Sequence, residues 1–457
     1  MASFPIQGVL MSYGGYGGYV QLGKRPDPDE FLIAYFSVVP GEGRTLREAA
    51  EAVAAESSIG TWTSLSTMHK RVLSRLQAQV YKIHKNKKGG SLEVAYPIEL
   101  FEEGNAPQIL SDIAGNIFGM KEVASLRLED FDAPRKYLET FPGPAFGREG
   151  VRRLVGTAAP SKRRPHLGTI VKPKVGLTPR EGAKVAYDSW AGGLDFVKDD
   201  ENLTSHPFSR FEDRLAHYLE ARDRAQSETG HKKIYAPNIT APADLMLKRA
   251  ELVRSSGGEC VMIDIVTAGL SSVQFIRNQN LGVFIHAHRA MYAAFARSKK
   301  HGMSMRALAK LARLCGTDQL HIGAMLGKME GAVPDVMQIH QDINGNGSEA
   351  DPAHPRAVPG EPESSESRAW SRIKPVFSVC SGGLSPLQIP GLYKIIGDEA
   401  VFQCGGGVHG HPGGTRAGAM ALVQSLEAAK KNIPLASYAR THPPLAVALS
   451  KWGRQKN

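Results

Sequence analysis

No apolar run in this 457-residue chain is long enough to span a bilayer, and the N-terminus lacks a basic stretch followed by a long apolar one. The expectation is a cytoplasmic protein with no membrane partner. Cysteine is scarce and scattered: Cys260, Cys315, Cys380 and Cys404 form no CxxC pair and have no His-rich segment beside them. That argues against a disulfide framework and against a structural zinc site, and favours reduced, buried thiols. The short basic runs KNKKGG (85–90) and SKRRP (161–165) carry no interleaved aromatics on which bases could stack. The net charge of +11 is therefore read as a solvated surface that steers a phosphorylated small molecule, with no nucleic acid as partner.

What is present fits an ordinary globular enzyme: 42% hydrophobic residues, 22% charged, and 48 glycines for tight turns. The length suits a large barrel plus a smaller domain. Residues 1–18 are Gly- and Tyr-rich without periodicity and read as a flexible arm. Residues 19–142 carry the order βαββαβ: FLIAYFSVVP as a strand, TLREAAEAVAAESS as a helix, VLSRLQAQVYKI and SLEVAYPI as a strand pair, PQILSDIAGNIFG as a helix and VASLRLEDF as a strand. That order predicts a ferredoxin-like α+β domain.

Residues 143–457 alternate differently. Eight short apolar runs, GTIVKP, LDFVKDD, KIYAPNIT, CVMIDIV, VFIHAHR, QLHIG, PVFSVCSGG and AVFQCGGG, each precede a helical stretch, which predicts an α/β (β/α)8 TIM barrel. Thr178 with Glu181 and Ser209 with Glu212 are expected to cap two of the helices, with Gly192-Gly193 and Gly230 closing them. A polar stretch at about 344–371 has neither helical nor strand period and reads as an insertion before the seventh strand.

Reactive residues cluster at the ends of the apolar runs, and a barrel delivers all those ends to one rim. Lys198, Asp200 and Glu201 follow LDFV; adjacent carboxylates are costly to keep ionised without a cation between them, and hard oxygen donors favour Mg2+. A lysine there becomes a third anionic ligand if its amine adds CO2. A surface ion-pair cluster reads equally from KDDE alone. Lys172 and Lys174, pointing to opposite sides or fanned by the proline between them, can neutralise phosphate or donate a proton, although solvated loop lysines read the same way. His286, His288, Arg289 and His321 end later strands, where buried imidazole and guanidinium require partners, and an arginine suits phosphate. The glycine turns after strands seven and eight, Ser381-Gly382-Gly383 and Gly405-Gly406-Gly407, lie where barrels bind phosphate. Lys328, between glycines after strand six, is placed either to close over substrate or in a plain surface turn.

Taken in order, ESSIGTW, GNIFG, TIVKPKVGL, GGLDFVKDDEN, HAHRAM, LHIGAMLGKMEG, SGGL and QCGGGVHGHP resemble the large subunit of ribulose-1,5-bisphosphate carboxylase/oxygenase (RuBisCO) over nearly the whole chain. The DENLTS, DQLHIG and SKWGR stretches resemble archaeal-type members, form III or II/III. The resemblance implies an enzyme that adds CO2 or O2 to ribulose 1,5-bisphosphate through an enediolate, giving two 3-phosphoglycerate on carboxylation, in AMP and nucleoside salvage. It implies that CO2 forms a carbamate on Lys198, which binds Mg2+ with Asp200 and Glu201 and then serves as base. The resemblance further implies that Lys172 protonates the product carbanion, Lys174 supports enolisation, His288 lies near the reacting hydroxyl and Lys328 stabilises the new carboxylate. By the same resemblance one phosphate would meet Thr61, Trp62, Gly383, Gly405 and Gly406, and the other Arg289, His321 and Ser381, with Gly382 in the same turn.

Glu56, Thr61, Trp62 and Asn116 are implied to complete the site of a neighbouring subunit, so a homodimer with shared sites is expected, or a higher homo-oligomer, without a small subunit. Ala324, Met325 and Leu326 depart from the Thr-Val-Val of plant members, and Ser385 from a common histidine, which touches CO2/O2 discrimination and loop kinetics. The nearest rival is a RuBisCO-like enolase or isomerase of a related sugar phosphate, which typically replaces several of the lysines retained here. An amidohydrolase would place its HxH pair on the first strand. A non-catalytic phospholigand-binding barrel would not need all these groups together.

Overall fold

The structure is a computed structural model; it describes residues 16–24, 26–326, 332–344, 370 and 372–453. Lys328, the arm up to residue 15 and nearly all of the 344–371 stretch lie outside the described residues. The chain divides into two compact units. The first runs through Phe141 and also takes in Met291–Leu311 and, among the described residues, Trp370, Arg372 and Ile373.

In the first unit, alternation of apolar residues puts Leu32, Ala34, Phe36 and Val38 of strand β1 (Phe31–Pro40) on one buried face. β1 pairs antiparallel with both β3 (Gly89–Pro97) and β4 (Val123–Asp132), and β3 pairs with β2 (Gln79–Asn86) across the Lys87-Lys88 turn. The order β4-β1-β3-β2 is that of a ferredoxin-like sheet, extended by a two-residue parallel strand, Gly302–Met303 (β10 in chain order), beside β4. Helix Leu46–Glu56 starts at a complete capping box, Thr45 with Glu48, and buries Ala49, Ala52 and Val53. Two expectations are corrected. Val72 to Leu76 belong to helix Lys70–Leu76, which buries no residue, so strand alternation begins only at Gln79. The α-helix expected over 107–119 is Ala106–Ile113 followed by a separate 3-10 turn, Asn116–Gly119.

The second unit holds eight parallel strands: β5 (His166–Ile170), β6 (Phe196–Lys198), β7 (Ile234–Ala236), β8 (Cys260–Asp264), β9 (Phe284–His288), β11 (Gln319–Gly323), β12 (Phe377–Ser381) and β13 (Ala400–Gln403). Their hydrogen-bonded order is β7-β6-β5-β13-β12-β11-β9-β8, and a parallel bridge between Asn238 and Met262 joins the two outer strands. The ring is thus closed in sequence order, as in a (β/α)8 barrel. Helix Gly147–Val155 packs Val151 and Val155 into a core cluster with Phe196, Ile234, Cys260, Phe284 and Phe377, residues at the beginnings of their strands. It fills the N-terminal mouth, which leaves the C-terminal rim for chemistry.

The Thr178–Glu181 capping box is formed, and Gly193 and Gly230 adopt positive φ at the ends of the two helices. Ser209, in contrast, caps nothing. Helix Phe211–Thr229 begins after Arg210; Phe211 N–H donates to Ser205 Oγ, and the Ser209 carbonyl accepts from Arg214 Nη1 at 3.0 Å. All four cysteines are buried and unpaired, and among the described residues no helix is long and apolar enough to cross a membrane.

Candidate active site

β6 ends on Lys198, whose side chain is buried inside the barrel. Its Nζ donates to the Asp199 carbonyl at 2.8 Å and to Met262 Sδ at 3.2 Å. A neutral amine has two N–H donors and one lone pair, so these two acceptors serve it fully, whereas an ammonium would have a donor to spare. Burial lowers the amine's pKa, against the pull of Glu201, Asp200, Asp264 and Asp199. A desolvated, neutral amine is the form that can attack CO2.

The two carboxylates that follow differ from Asp199 in what they face. Asp199 is locked by Arg214 Nε at 3.1 Å, Tyr235 Oη at 2.8 Å and the Asn238 amide at 3.0 Å, all in the wall of the barrel. Asp200 accepts instead from Lys172 Nζ at 2.6 Å, and Glu201 from Lys174 Nζ at 3.2 Å. Lys172 and Lys174 therefore converge on one acidic pair across the rim. The Lys174 pKa is raised, first by its hydrogen bond to Glu201.

These residues fit a divalent cation. Asp200 and Glu201 are anionic oxygen donors to which two ammonium groups are already drawn, and the third ligand would come from Lys198 after CO2 addition. Among the described residues no group of three or more His, Cys, Asp or Glu is placed to hold a metal.

His288, at the end of β9, donates from Nδ1 to Asp264 Oδ1 at 2.7 Å. Its Nε2 faces Glu201 Oε2 at 3.9 Å and so points into the site. Sequence reasoning missed Asp264, which closes the CVMID run of β8 and is the register partner of His288. It also missed Asn238, whose Nδ2 donates to the Glu201 carbonyl at 3.2 Å and fixes the turn carrying the carboxylates.

Around the ring, His321 Nδ1 lies 2.7 Å from Ser381 Oγ and its Nε2 lies 2.9 Å from His286 Nε2. Burial pushes both imidazoles well below their ordinary pKa, so both are neutral. Gly382 and Gly383 hold positive φ just after Ser381, a conformation that favours glycine. At Gly405 a Cβ would come within 3.2 Å of Lys172 Cε, so glycine lets the turn approach that lysine. Arg289 Nη2 approaches the Gly323 position. The second unit thus brings together Lys172, Lys174, Lys198, Asp200, Glu201 and His288 as one group, with His321 and Ser381 on the adjoining strands.

The remaining candidates, Glu56, Thr61, Trp62 and Asn116, belong to the first unit. Glu56 accepts from Tyr16 Oη at 3.0 Å, while Asn116 is exposed and Trp62 is 73% exposed.

Comparison with known proteins gives one consistent result. Residues 157–452 match the family model for the ribulose bisphosphate carboxylase large chain, catalytic domain, and residues 18–137 match that for its N-terminal domain. A ribulose bisphosphate carboxylase of Methanocaldococcus jannaschii is 46% identical over 95% of this chain and 99% of its own length. One from Pyrococcus abyssi is 44% identical over 96% and 97%. The octameric RuBisCO structure from Pyrococcus horikoshii OT3 superposes with a TM-score of 0.86 at 43% identity, covering 96% of this chain and 97% of that one. The dimeric archaeal RuBisCO from Hyperthermus butylicus gives a TM-score of 0.86 at 45% identity, covering 95% and 98%.

Proposed function

The chain belongs to the ribulose bisphosphate carboxylase large-chain family and is a carboxylase, and from that premise we propose how its residues carry the reaction. The substrate is ribulose 1,5-bisphosphate, with CO2 or O2 as the second reactant. The observation that carries the proposal is the buried Lys198 amine, served by two acceptors and flanked by Asp200 and Glu201.

Activation comes first. The Lys198 lone pair attacks CO2, an N–C bond forms and one amine proton leaves, so a neutral side chain becomes an anionic one. Mg2+ held by that group with Asp200 and Glu201 would supply Lewis-acid stabilisation of negative charge developing on substrate oxygens. Lys198, so modified, takes the C3 proton to give the enediolate, with Lys174 supporting the charge. His288 presents Nε2 as acceptor toward the reacting hydroxyl because Asp264 occupies its Nδ1–H. After CO2 adds at C2 and water adds to the C3 carbonyl, cleavage of the C2–C3 bond releases one 3-phosphoglycerate, and Lys172 returns a proton to the carbanion of the other, upper product. Lys328 stabilises the new carboxylate before cleavage.

Thr61, Trp62, Gly383, Gly405 and Gly406 bind one phosphate; Arg289 and Ser381 bind the other, His321 acting through its contact with the Ser381 hydroxyl and Gly382 shaping the turn. Glu56, Thr61, Trp62 and Asn116 act in the site of a second subunit, which makes a homodimer the smallest active form. The physiological role is salvage of AMP-derived ribulose bisphosphate. Incubation with ribulose 1,5-bisphosphate, Mg2+ and radiolabelled bicarbonate tests the reading: label recovered in 3-phosphoglycerate supports it, and substrate loss without fixation would replace it with enolisation alone. K328A is expected to retain enolisation and lose carboxylation.

A further inference from the structure

His286 is a fully buried imidazole at the centre of the second unit that the reaction above does not use. It belongs to a continuous chain across three neighbouring strands. Its Nδ1 lies 2.7 Å from Gln319 Oε1, its Nε2 lies 2.9 Å from His321 Nε2, and His321 Nδ1 lies 2.7 Å from Ser381 Oγ. Gln319 is the direct register partner of His286, so strand pairing itself sets that contact. Two neutral imidazoles sharing a hydrogen bond must be one donor and one acceptor, which means the whole chain has a single direction.

The direction decides what Ser381 offers. With Gln319 accepting, His286 carries its proton on Nδ1, His321 carries its own on Nε2, and the Ser381 hydroxyl donates inward, leaving only lone pairs for a ligand. With Gln319 donating, every bond reverses and Ser381 donates outward. Gln319 Nε2 is buried and has no partner among the described residues, and turning the amide end for end would pair it with His286. A phosphate oxygen requires the outward donor.

We propose that Gln319 and His286 are positioning residues, which fix the tautomer of His321 and thereby orient the Ser381 hydroxyl toward bound ribulose bisphosphate. The inference rests on the reading that Ser381 touches substrate. Neither residue touches the ligand, so their effect must pass through Ser381.

A double-mutant cycle isolates that route. Q319M is nearly isosteric and can neither donate nor accept comparably. It is expected to raise KM for ribulose bisphosphate about tenfold with kcat changed less than about twofold, the scale of one hydrogen bond to a charged group. In the S381A background the same substitution is expected to change KM less than about twofold, because the group it acts on is gone. Equal effects of Q319M in both backgrounds, or no effect of Q319M at all, would overturn the inference. If S381A alone leaves KM unchanged, the assignment of Ser381 to substrate fails instead. Should Q319M not fold, H286N keeps a polar group toward Gln319 and removes the one facing His321. In the same cycle it is expected to raise KM only where Ser381 is present, and an equal effect in both backgrounds would again overturn the inference.

Discussion

Lys198 and Asp199 are neighbours with opposite duties, and the difference lies in their partners. Asp199 is a structural carboxylate, saturated by Arg214, Tyr235 and a backbone amide, whereas Lys198 keeps a lone pair that its two acceptors do not engage. K198A should show no CO2 fixation above background while the folded protein persists, as read by labelled bicarbonate uptake and by circular dichroism. Asp264 acts through another residue: it holds the His288 proton on Nδ1. D264N can present its amide instead and disturb that tautomer, so kcat should fall roughly 10- to 100-fold with KM within about twofold. An unchanged kcat in steady-state assays would remove Asp264 from the site.

At the scale of elements, helix Phe211–Thr229 is tied to the turn after β6 by a buried ion pair, Arg214 to Asp199, with 1% and 0% of the two side chains exposed. Arg214 also donates to the Ser209 carbonyl, so it secures the loop leading into the helix. R214A leaves a buried carboxylate without its cation and is expected to cost about 3–5 kcal/mol, measured as a lower urea midpoint with unchanged slope. Much of this architecture was legible in sequence. All eight barrel strands read as apolar runs because each is short and nearly all of its residues are buried. The helix at Val72 was misread as strand because nothing in it is buried, so no periodic face exists to identify. Asp264 and Gln319 were missed for another reason. Their importance comes from register, Asp264 beside His288 and Gln319 beside His286, and register between strands does not appear in a one-dimensional pattern. Asp200 and Glu201 were legible as an acidic pair, but the capture of Asp199 by an arginine fourteen positions beyond Asp200 was not.

At the scale of the whole molecule, the proposal divides each site between two subunits, since Glu56, Thr61, Trp62 and Asn116 are expected to serve a partner's barrel. K198A and N116A should each be inactive as homo-oligomers. Refolded together in equal amounts, half of the dimers are mixed, and each mixed dimer has one site free of both substitutions, so about a quarter of wild-type activity should return. No recovery would place the first unit's residues in their own subunit's site. Relatives of solved structure are dimeric or octameric, so the assay is to be read per site. The central claim concerns Lys198 itself, and 13C NMR of the protein equilibrated with 13C-bicarbonate and Mg2+ tests it most directly. The account predicts one carbamate resonance per chain, absent from K198A; a spectrum without that signal, or one that K198A retains, would contradict it.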